Sequence, residues 1–399
     1  MLDAYIYQGL RTPFGRHAGA LATVRPDDLL AGVIRALMTR SAIPGAAIED
    51  VIAGCANQAG EDSRNVARHA ALLAGLPNAV AGMTVNRLCG SGLAAILDAA
   101  RAASAGQGDL FIAAGVESMS RAPFVHAKAE SAYSREIRIF DSTLGARFPN
   151  PAIERLYGRD TMPETADNIA RDFAISREAS DAFALGSQRR YAAAEAAGYF
   201  NGELEPVVIA GKRGATLRVE RDEHPRPDAT AERLASLAPL FAGGVVTAGN
   251  ASGINDGAGA LLIGTRAAGE RLNMMPLARI LSGAVAGVEP RVMGLGPVPA
   301  ITKALARADL PLSAMDVIEI NEAFATQVLG CLKQLGLPGD ERRVNPNGGA
   351  IAVGHPLGAS GIRIALTAAR QLQRSEGRNA VVSMCIGVGQ GIAVVLQRP

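Results

Sequence analysis

Apolar positions along this chain fall into two rhythms. Short runs rich in β-branched residues alternate with longer alanine- and leucine-rich stretches, and glycine-rich turns join them. Residues 2–7 read as a strand and 9–19 as a loop. Asp27 can cap a helix over 29–39, a short buried strand follows at 50–53, and a polar loop at 54–65 leads into a helix over 66–74. Met83-Thr84-Val85 read as a strand and Gly90-Ser91-Gly92 as a turn. Residues 93–103, free of glycine and proline, read as a helix, with another apolar strand at 110–114. This alternation predicts a parallel or mixed sheet covered by helices on both faces.

From 122 to 244 the rhythm lapses. Prolines, charges and short helical pieces dominate, 179–197 being the one long helical run, so the stretch reads as an inserted, surface-facing excursion. Residues 245–263 return to strand, glycine-rich turn and strand. The last third then repeats the first. Asp316-Val317-Ile318 matches Asp50-Val51-Ile52, and residues 344–370 parallel 85–101, each running Val-Asn, a glycine turn, Ser-Gly, a helix and Ala-Ala-Arg. An apolar strand follows each helix, 110–114 in one half and 380–384 in the other. The expected organisation is two duplicated α/β halves, 1–121 with 245–270 and 271–399, plus an inserted loop domain at 122–244. A pseudo-twofold relation would set the turns around Cys89 and His355 face to face.

Composition narrows the class. The chain has 399 residues, more than one core usually serves, and its 48% hydrophobic and 20% charged content is that of a soluble globular protein. A formal net charge of +2 gives no reason to expect nucleic acid or an acidic membrane as partner. Cysteines at 55, 89, 331 and 385 make neither a disulfide framework nor a zinc pattern. They point to a reducing compartment and leave room for catalytic thiols. No export leader is visible and no apolar run reaches transmembrane length, so a cytoplasmic protein without a metal is expected.

Candidate chemistry gathers at turns that follow strands, where open α/β sheets bind ligands. These turns hold Cys89 in N-R-L-C-G-S-G, Asn321 in N-E-A-F-A, His355 in G-H-P-L-G-A-S-G and Cys385 in C-I-G-V-G-Q-G. A cysteine at a strand-to-helix corner lies near the unpaired N–H groups of a helix N-terminus, a setting that lowers its pKa and frees the thiolate. Histidine is the base suited to activate it, and a second cysteine can shuttle a proton. Flanking glycines can aim backbone N–H groups at a developing oxyanion. Each residue alone also has a plain structural reading: Cys89 and Cys385 as packed thiols, His355 as a buried structural ring.

Together the blocks V-N-R-L-C-G-S-G, G-V-E-S-M-S, T-A-G-N-A-S-G-I-N-D-G-A, N-E-A-F-A, N-P-N-G-G-A-I-A-V-G-H-P-L-G-A-S-G and C-I-G-V-G-Q-G resemble the thiolases, along essentially the whole chain. Within that family, C-A-N-Q-A-G-E-D-S-R-N-V-A-R, R-A-P-F-V, M-P-E-T-A-D-N and P-R-V-M-G-L-G-P-V-P-A are most similar to the enzymes that cleave 3-oxoadipyl-CoA in aromatic-compound breakdown. Gly90 departs from that subfamily, which more often carries alanine there, and looks like the acetoacetyl-CoA thiolases.

The resemblance implies an α/β thiolase fold with two mixed five-stranded sheets covered by helices, and an acyltransferase working through an acyl-cysteine intermediate. It implies Cys89 as nucleophile, His355 as its base, Cys385 as the second acid–base, Asn321 at the enolate oxygen, and the Gly387 N–H in the oxyanion site. Ser252, Met162, Arg226, Met293 and Phe324 match positions along the coenzyme A arm. Ordinary core for Met162, Met293 and Phe324, and a solvated charge for Arg226, are the alternatives. Arg87, Arg135 and Arg147 are candidates to read a distal carboxylate, or are simply solvent-facing. Coenzyme A would be a substrate, with no tightly bound cofactor, and the family implies a homo-oligomer, dimer or tetramer. Alternative activities are an acetyl-CoA acetyltransferase or a general 3-ketoacyl-CoA thiolase. Cys385 argues against a decarboxylating condensing enzyme, and the retention of Cys89, His355 and Cys385 against a non-catalytic acyl-CoA-binding protein.

Overall fold

The structure is a computed structural model that describes residues 2–211 and 215–399. Its centre is a continuous ten-stranded mixed sheet. One end runs Ala81–Val85, Asp50–Gly54, Leu110–Ser118, Asn255–Gly264 and Ala4–Arg11; the other continues Ala278–Gly287, Gln390–Gln397, Asn379–Ile386 and Val317–Ile320, and the tenth, Gly15–Arg16, pairs with the start of Asn255–Gly264. The two halves join edge to edge through three antiparallel pairs, Ala4 with Ile280, Tyr5 with Arg279 and Ile6 with Ala278. In each half the outer strands are parallel and the inner ones antiparallel. The expected fifth strand of the second half is reduced to one parallel bridge between Val344 and Ile318. Pro346 follows almost at once and offers no N–H to extend it.

Three apolar cores stack through the molecule. The central one lies between the helices Ser91–Ser104 and Leu357–Ser375 and strands of both halves, including Ile96, Leu97, Ile362, Leu366, Phe111 and Met384. Helices Pro26–Ser41 and Val66–Leu73 cover the outer face of the first half, and Pro297–Ala308 and Ala325–Leu335 that of the second. The two central helices are the repeated ones, and they touch main chain to main chain. A Cβ on Gly92 would lie 2.6 Å from Gly358 O, and one on Gly361 2.3 Å from Leu93 N. Only glycine permits that approach, and it sets the helix N-termini, with the Cys89 and His355 turns, side by side.

Local expectations need four corrections. The first helix starts at Pro26 behind Arg25, not at a cap on Asp27. Proline is pre-shaped for the first helical position, and Asp27 in the first turn instead pairs with the Arg25 guanidinium at 2.8 Å. The first strand runs on to Arg11, which was read as loop, and it is buried on both faces and does not alternate. Residues 245–254 are irregular, only Asn255–Gly264 being a strand. The strand expected to close before Gly115 continues to Ser118.

The inserted stretch holds the hairpins Phe124–His126/Ile139–Asp141 and Val207–Ala210/Thr216–Val219 and the helices Pro151–Tyr157, Met162–Asp172, Arg177–Ala196 and Ala231–Ala235. Arg11 fastens it to the sheet. Its fully buried guanidinium reaches Glu203 at 2.6 Å and Asp222 at 2.7 and 2.9 Å, and Tyr191 donates to Asp222 at 2.7 Å. Charges this deep are tolerated only when paired and hydrogen-bonded.

Candidate active site

Cys89 ends a tight elbow between strand Ala81–Val85 and helix Ser91–Ser104. Leu88 takes φ 48°, a left-handed conformation unusual for a leucine. Local hydrogen bonds hold it there: Leu88 N donates to Asn86 Oδ1 at 2.8 Å, Ser91 Oγ donates to Leu88 O at 2.6 Å, and Arg87 N donates to Ser91 Oγ at 2.8 Å. The second turn, from Cys385 to Gly389, is likewise strained, with the β-branched Val388 at φ 63°. Arg87 Nη1 donates to Gln390 Oε1 at 3.2 Å and links the two turns.

The electrostatics depart from the expected free thiolate. Burial pushes the Cys89 thiol up to about 11, although the N–H groups of Gly387 and of Cys89 itself act on its sulfur in the opposite direction. Desolvation outweighs two backbone donors and the nearby helix terminus. The same two N–H groups are the ones expected to form the oxyanion site, and the structure sets both against the sulfur. Burial also raises the Cys385 thiol well above its ordinary value, with Cys89 and Cys331 adding to the shift.

His355 follows Gly354, whose φ of 101° suits glycine. Its backbone N–H donates to Asn255 Oδ1 at 2.9 Å. Ser360 Oγ donates to Pro356 O at 2.9 Å, so its oxygen accepts the proton of His355 Nδ1 at 2.6 Å. That fixes the Nδ1–H tautomer and leaves Nε2 as the accepting nitrogen of the ring. Burial, with Arg363 close by, lowers the ring to about 3, so it rests neutral at working pH. Asn321 is held by its N–H on Ser383 O at 3.0 Å, and its Nδ2 lies 3.4 Å from both ring nitrogens. Its Oδ1 is buried without a hydrogen-bond partner among the described residues.

The remaining candidates divide. Met293, Phe324 and Cys385 share one small apolar cluster with Ala166, Val246, Ala251 and Ala323. Ser252 joins its edge through an N–H on Ala323 O at 2.9 Å. Met162 begins a helix, and its Sδ lies 3.6 Å from the place a Gly387 Cβ would occupy. Arg226 is exposed and folds its Nη1 onto the carbonyls of Glu223, His224 and Pro225 at 3.3, 2.6 and 3.1 Å. Of the three arginines considered for a distal carboxylate, Arg135 is exposed, Arg147 donates to Ser142 O at 3.1 Å, and Arg87 sits between the catalytic turns. Among the described residues no group of three or more His, Cys, Asp or Glu is placed to hold a metal, and no helix is long and apolar enough to cross a membrane.

Sequence reading passed over Ser360, though it stands five residues past His355 in a quoted block. A hydroxyl one helical turn beyond a candidate base was the available signal. Ser360→Ala removes the acceptor that fixes the imidazole. We expect a fall in kcat of about 10-fold to 100-fold with KM changed little, since tautomer and ring orientation matter only in proton transfer; an unchanged kcat in steady-state assays would refute that role.

Two free cysteines, a neutral histidine and an asparagine thus stand on turns of a duplicated fold. The thiolase N-terminal domain profile matches residues 4–267 and the C-terminal one 274–398. The chain belongs to the thiolase family and is an acyltransferase of that kind. It is 58% identical over 400 residues, all of both chains, to the 3-oxoadipyl-CoA/3-oxo-5,6-dehydrosuberyl-CoA thiolase of Escherichia coli (strain K12). It is 55% identical over 398 residues, 99% of each, to a beta-ketoadipyl-CoA thiolase of Pseudomonas aeruginosa. The crystal structure of human mitochondrial 3-ketoacyl-CoA thiolase in complex with CoA superposes with a TM-score of 0.91 at 39% identity, covering 100% of this chain and 98% of that one.

Proposed function

We propose that this thiolase cleaves 3-oxoadipyl-CoA with coenzyme A to succinyl-CoA and acetyl-CoA, in the breakdown of aromatic compounds. The observation that carries the reading is full-length identity of 54–58% to relatives named for 3-oxoadipyl-CoA or beta-ketoadipyl-CoA, with both candidate thiols and the candidate base brought to one seam.

His355 Nε2 takes the Cys89 proton as the sulfur attacks the C3 carbonyl carbon. The N–H groups of Cys89 and Gly387 donate to the resulting oxyanion, each donor worth about 3–4 kcal/mol in other enzymes. Collapse breaks the C2–C3 bond and expels the enolate of acetyl-CoA, whose oxygen is held by protonated His355 and, through a water, by Asn321. Cys385 gives its proton to C2, and acetyl-CoA leaves. Incoming coenzyme A returns a proton to the Cys385 thiolate and attacks the succinyl-Cys89 thioester. Succinyl-CoA forms, and the Cys89 sulfur recovers its proton from His355. The cycle is ping-pong and needs no resident cofactor.

Ser252, Met162, Met293 and Phe324 would flank the pantetheine arm, with Arg226 toward the nucleotide. A cytoplasmic homo-oligomer, tetrameric by the family pattern, completes the reading. Exposed apolar side chains on the inserted stretch, Phe124 at 74%, Tyr133 at 99% and Leu156 at 72%, favour self-association.

Gly90 favours a second reading, an acetoacetyl-CoA enzyme, because the Ile386 side chain occupies the space a Cβ there would need, its Cδ1 2.6 Å away. CoA-dependent cleavage of 3-oxoadipyl-CoA beside acetoacetyl-CoA separates them. We expect the higher kcat/KM with the dicarboxylic substrate. A preference for acetoacetyl-CoA would keep the chemistry and replace the substrate, and cleavage of neither would sink both readings.

A further inference from the structure

One buried carboxylate has no part in the steps above, yet it touches both sides of the site. Glu117 lies near the end of strand Leu110–Ser118 and is 1% exposed. It is the single charged residue in a strand buried along its whole length. Its Oε1 accepts the N–H of Asn57 at 2.9 Å, and its Oε2 accepts those of Ala56 and Gly358, each at 3.0 Å. Ala56 and Asn57 belong to the turn after strand Asp50–Gly54, in the first half of the fold. Gly358 belongs to the first turn of helix Leu357–Ser375, in the second half, three residues past His355 and two before Ser360.

Each branch leads to a reacting side chain. On one side Ala56 O accepts from Asn86 Nδ2 at 3.0 Å, and Asn86 Oδ1 accepts from Leu88 N at 2.8 Å, next to Cys89. On the other, the Gly358 turn carries Ser360, which orients the His355 ring. Main chain is cleared to let the halves meet here. A Cβ on Gly115 would lie 2.0 Å from Gly358 O, and one on Gly358 2.4 Å from Gly54 O. A carboxylate has enough acceptor sites for three donors in one plane, whereas an amide offers one oxygen and would press its NH2 against an N–H. A buried N–H left so keeps its full desolvation penalty with no bond to offset it.

We propose that Glu117 is the positioning residue that sets Cys89 and His355 in register across the two halves. It does not touch the reacting atoms, and it acts through Ala56–Asn86–Leu88 and through Gly358–Ser360. The proposal rests on the assignment of Cys89 and His355 as nucleophile and base, but not on which acyl chain they process.

The test is therefore read first without substrate. Cys89 alkylation by iodoacetamide is followed by mass spectrometry, from pH 7 to 9.5, in wild type, Glu117→Gln and Asn86→Ala, with circular dichroism as the check on folding. Asn86→Ala removes the side chain that joins Ala56 O to Leu88 N without adding a charge near the thiol, and it sits on an exposed residue, so it carries the test if Glu117→Gln does not fold. Loss of a negative charge beside a thiol would by itself speed alkylation. We expect the opposite, at least about 5-fold slower alkylation in both variants, because the Cys89 sulfur no longer meets the N–H groups of Gly387 and of Cys89 itself that favour its thiolate. In thiolysis we expect kcat to fall at least about 10-fold with KM within 2-fold, and the double variant to lose less than the product of the single losses, since both cut one linkage.

Alkylation in folded variants as fast as or faster than wild type would overturn the proposal, as would kcat losses that simply multiply. Wild type that cleaves neither test substrate while its Cys89 alkylates more slowly in the variants would overturn the proposed function and leave the positioning role standing.

Discussion

Replacing Cys89 with alanine is expected to lower CoA-dependent cleavage of the 3-oxoacyl-CoA substrate by about 10⁴-fold or more. Loss of a catalytic nucleophile in a coupled set costs of that order, because the other members then have no covalent step to serve. The same variant is expected to show no acyl adduct by mass spectrometry, whereas wild type acylates at Cys89. Activity within 100-fold of wild type, or an adduct elsewhere, would remove Cys89 from the mechanism. The resting charge state adds a sharper signature. With the thiol pushed up to about 11 and the imidazole down to about 3, both are neutral at pH 7. Alkylation of Cys89 should then rise about 10-fold per pH unit through pH 9, as the thiolate fraction does for a thiol still far below its pKa. A plateau beginning near pH 6 would mean a preformed thiolate–imidazolium pair.

Cys385→Ala is expected to cost about 10²–10⁴-fold in kcat, the range of a lost general acid–base. In the proposed cycle both half-reactions need that proton carrier: C2 receives a proton from it, and coenzyme A gives one to it. Its position makes the assignment specific. The thiol is 2% exposed, grouped with Met293 and Phe324, and close enough to Cys89 for a charge on Cys89 to disfavour its own. The variant should still alkylate at Cys89, yet fail to exchange the methyl hydrogens of acetyl-CoA with deuterium from solvent. Normal methyl exchange, or kcat within 10-fold of wild type, would return Cys385 to a packing role.

How far the sequence carried this picture depended on the kind of signal. The duplicated halves were legible because Val85–Arg101 and Val344–Arg370 repeat in order, and the structure places their helices in contact. The missing fifth strand was not, because a parallel bridge stopped by Pro346 leaves the same apolar Val-Asn signature as a full strand. The elbow at Cys89 was legible from its glycines, but its thiol pKa was misjudged. Helix termini can be read from local sequence, whereas desolvation depends on what the other half packs against the sulfur. Ser360 and Glu117 were quoted within blocks and given no role. The hydrogen bonds of Glu117 reach as far as 241 positions away, with a lone glutamate within L-F-I-A-A-G-V-E-S as the visible clue, whereas those of Ser360 span only four and five positions and its hydroxyl beyond His355 was there to be read.

The glycine seam between the two central helices has a consequence for change over time. With Gly92, Gly358 and Gly361 in main-chain contact, the floor of the site admits no added atom, so new substrate ranges cannot be carved from below. The inserted stretch, the roof in the proposed arrangement, is fastened at Arg11 and otherwise built of hairpins, helices and many exposed side chains. Chemistry is thus frozen in one layer while selectivity is free to drift in another. A library confined to the roof should move acyl-chain preference without touching the ping-pong cycle beneath it.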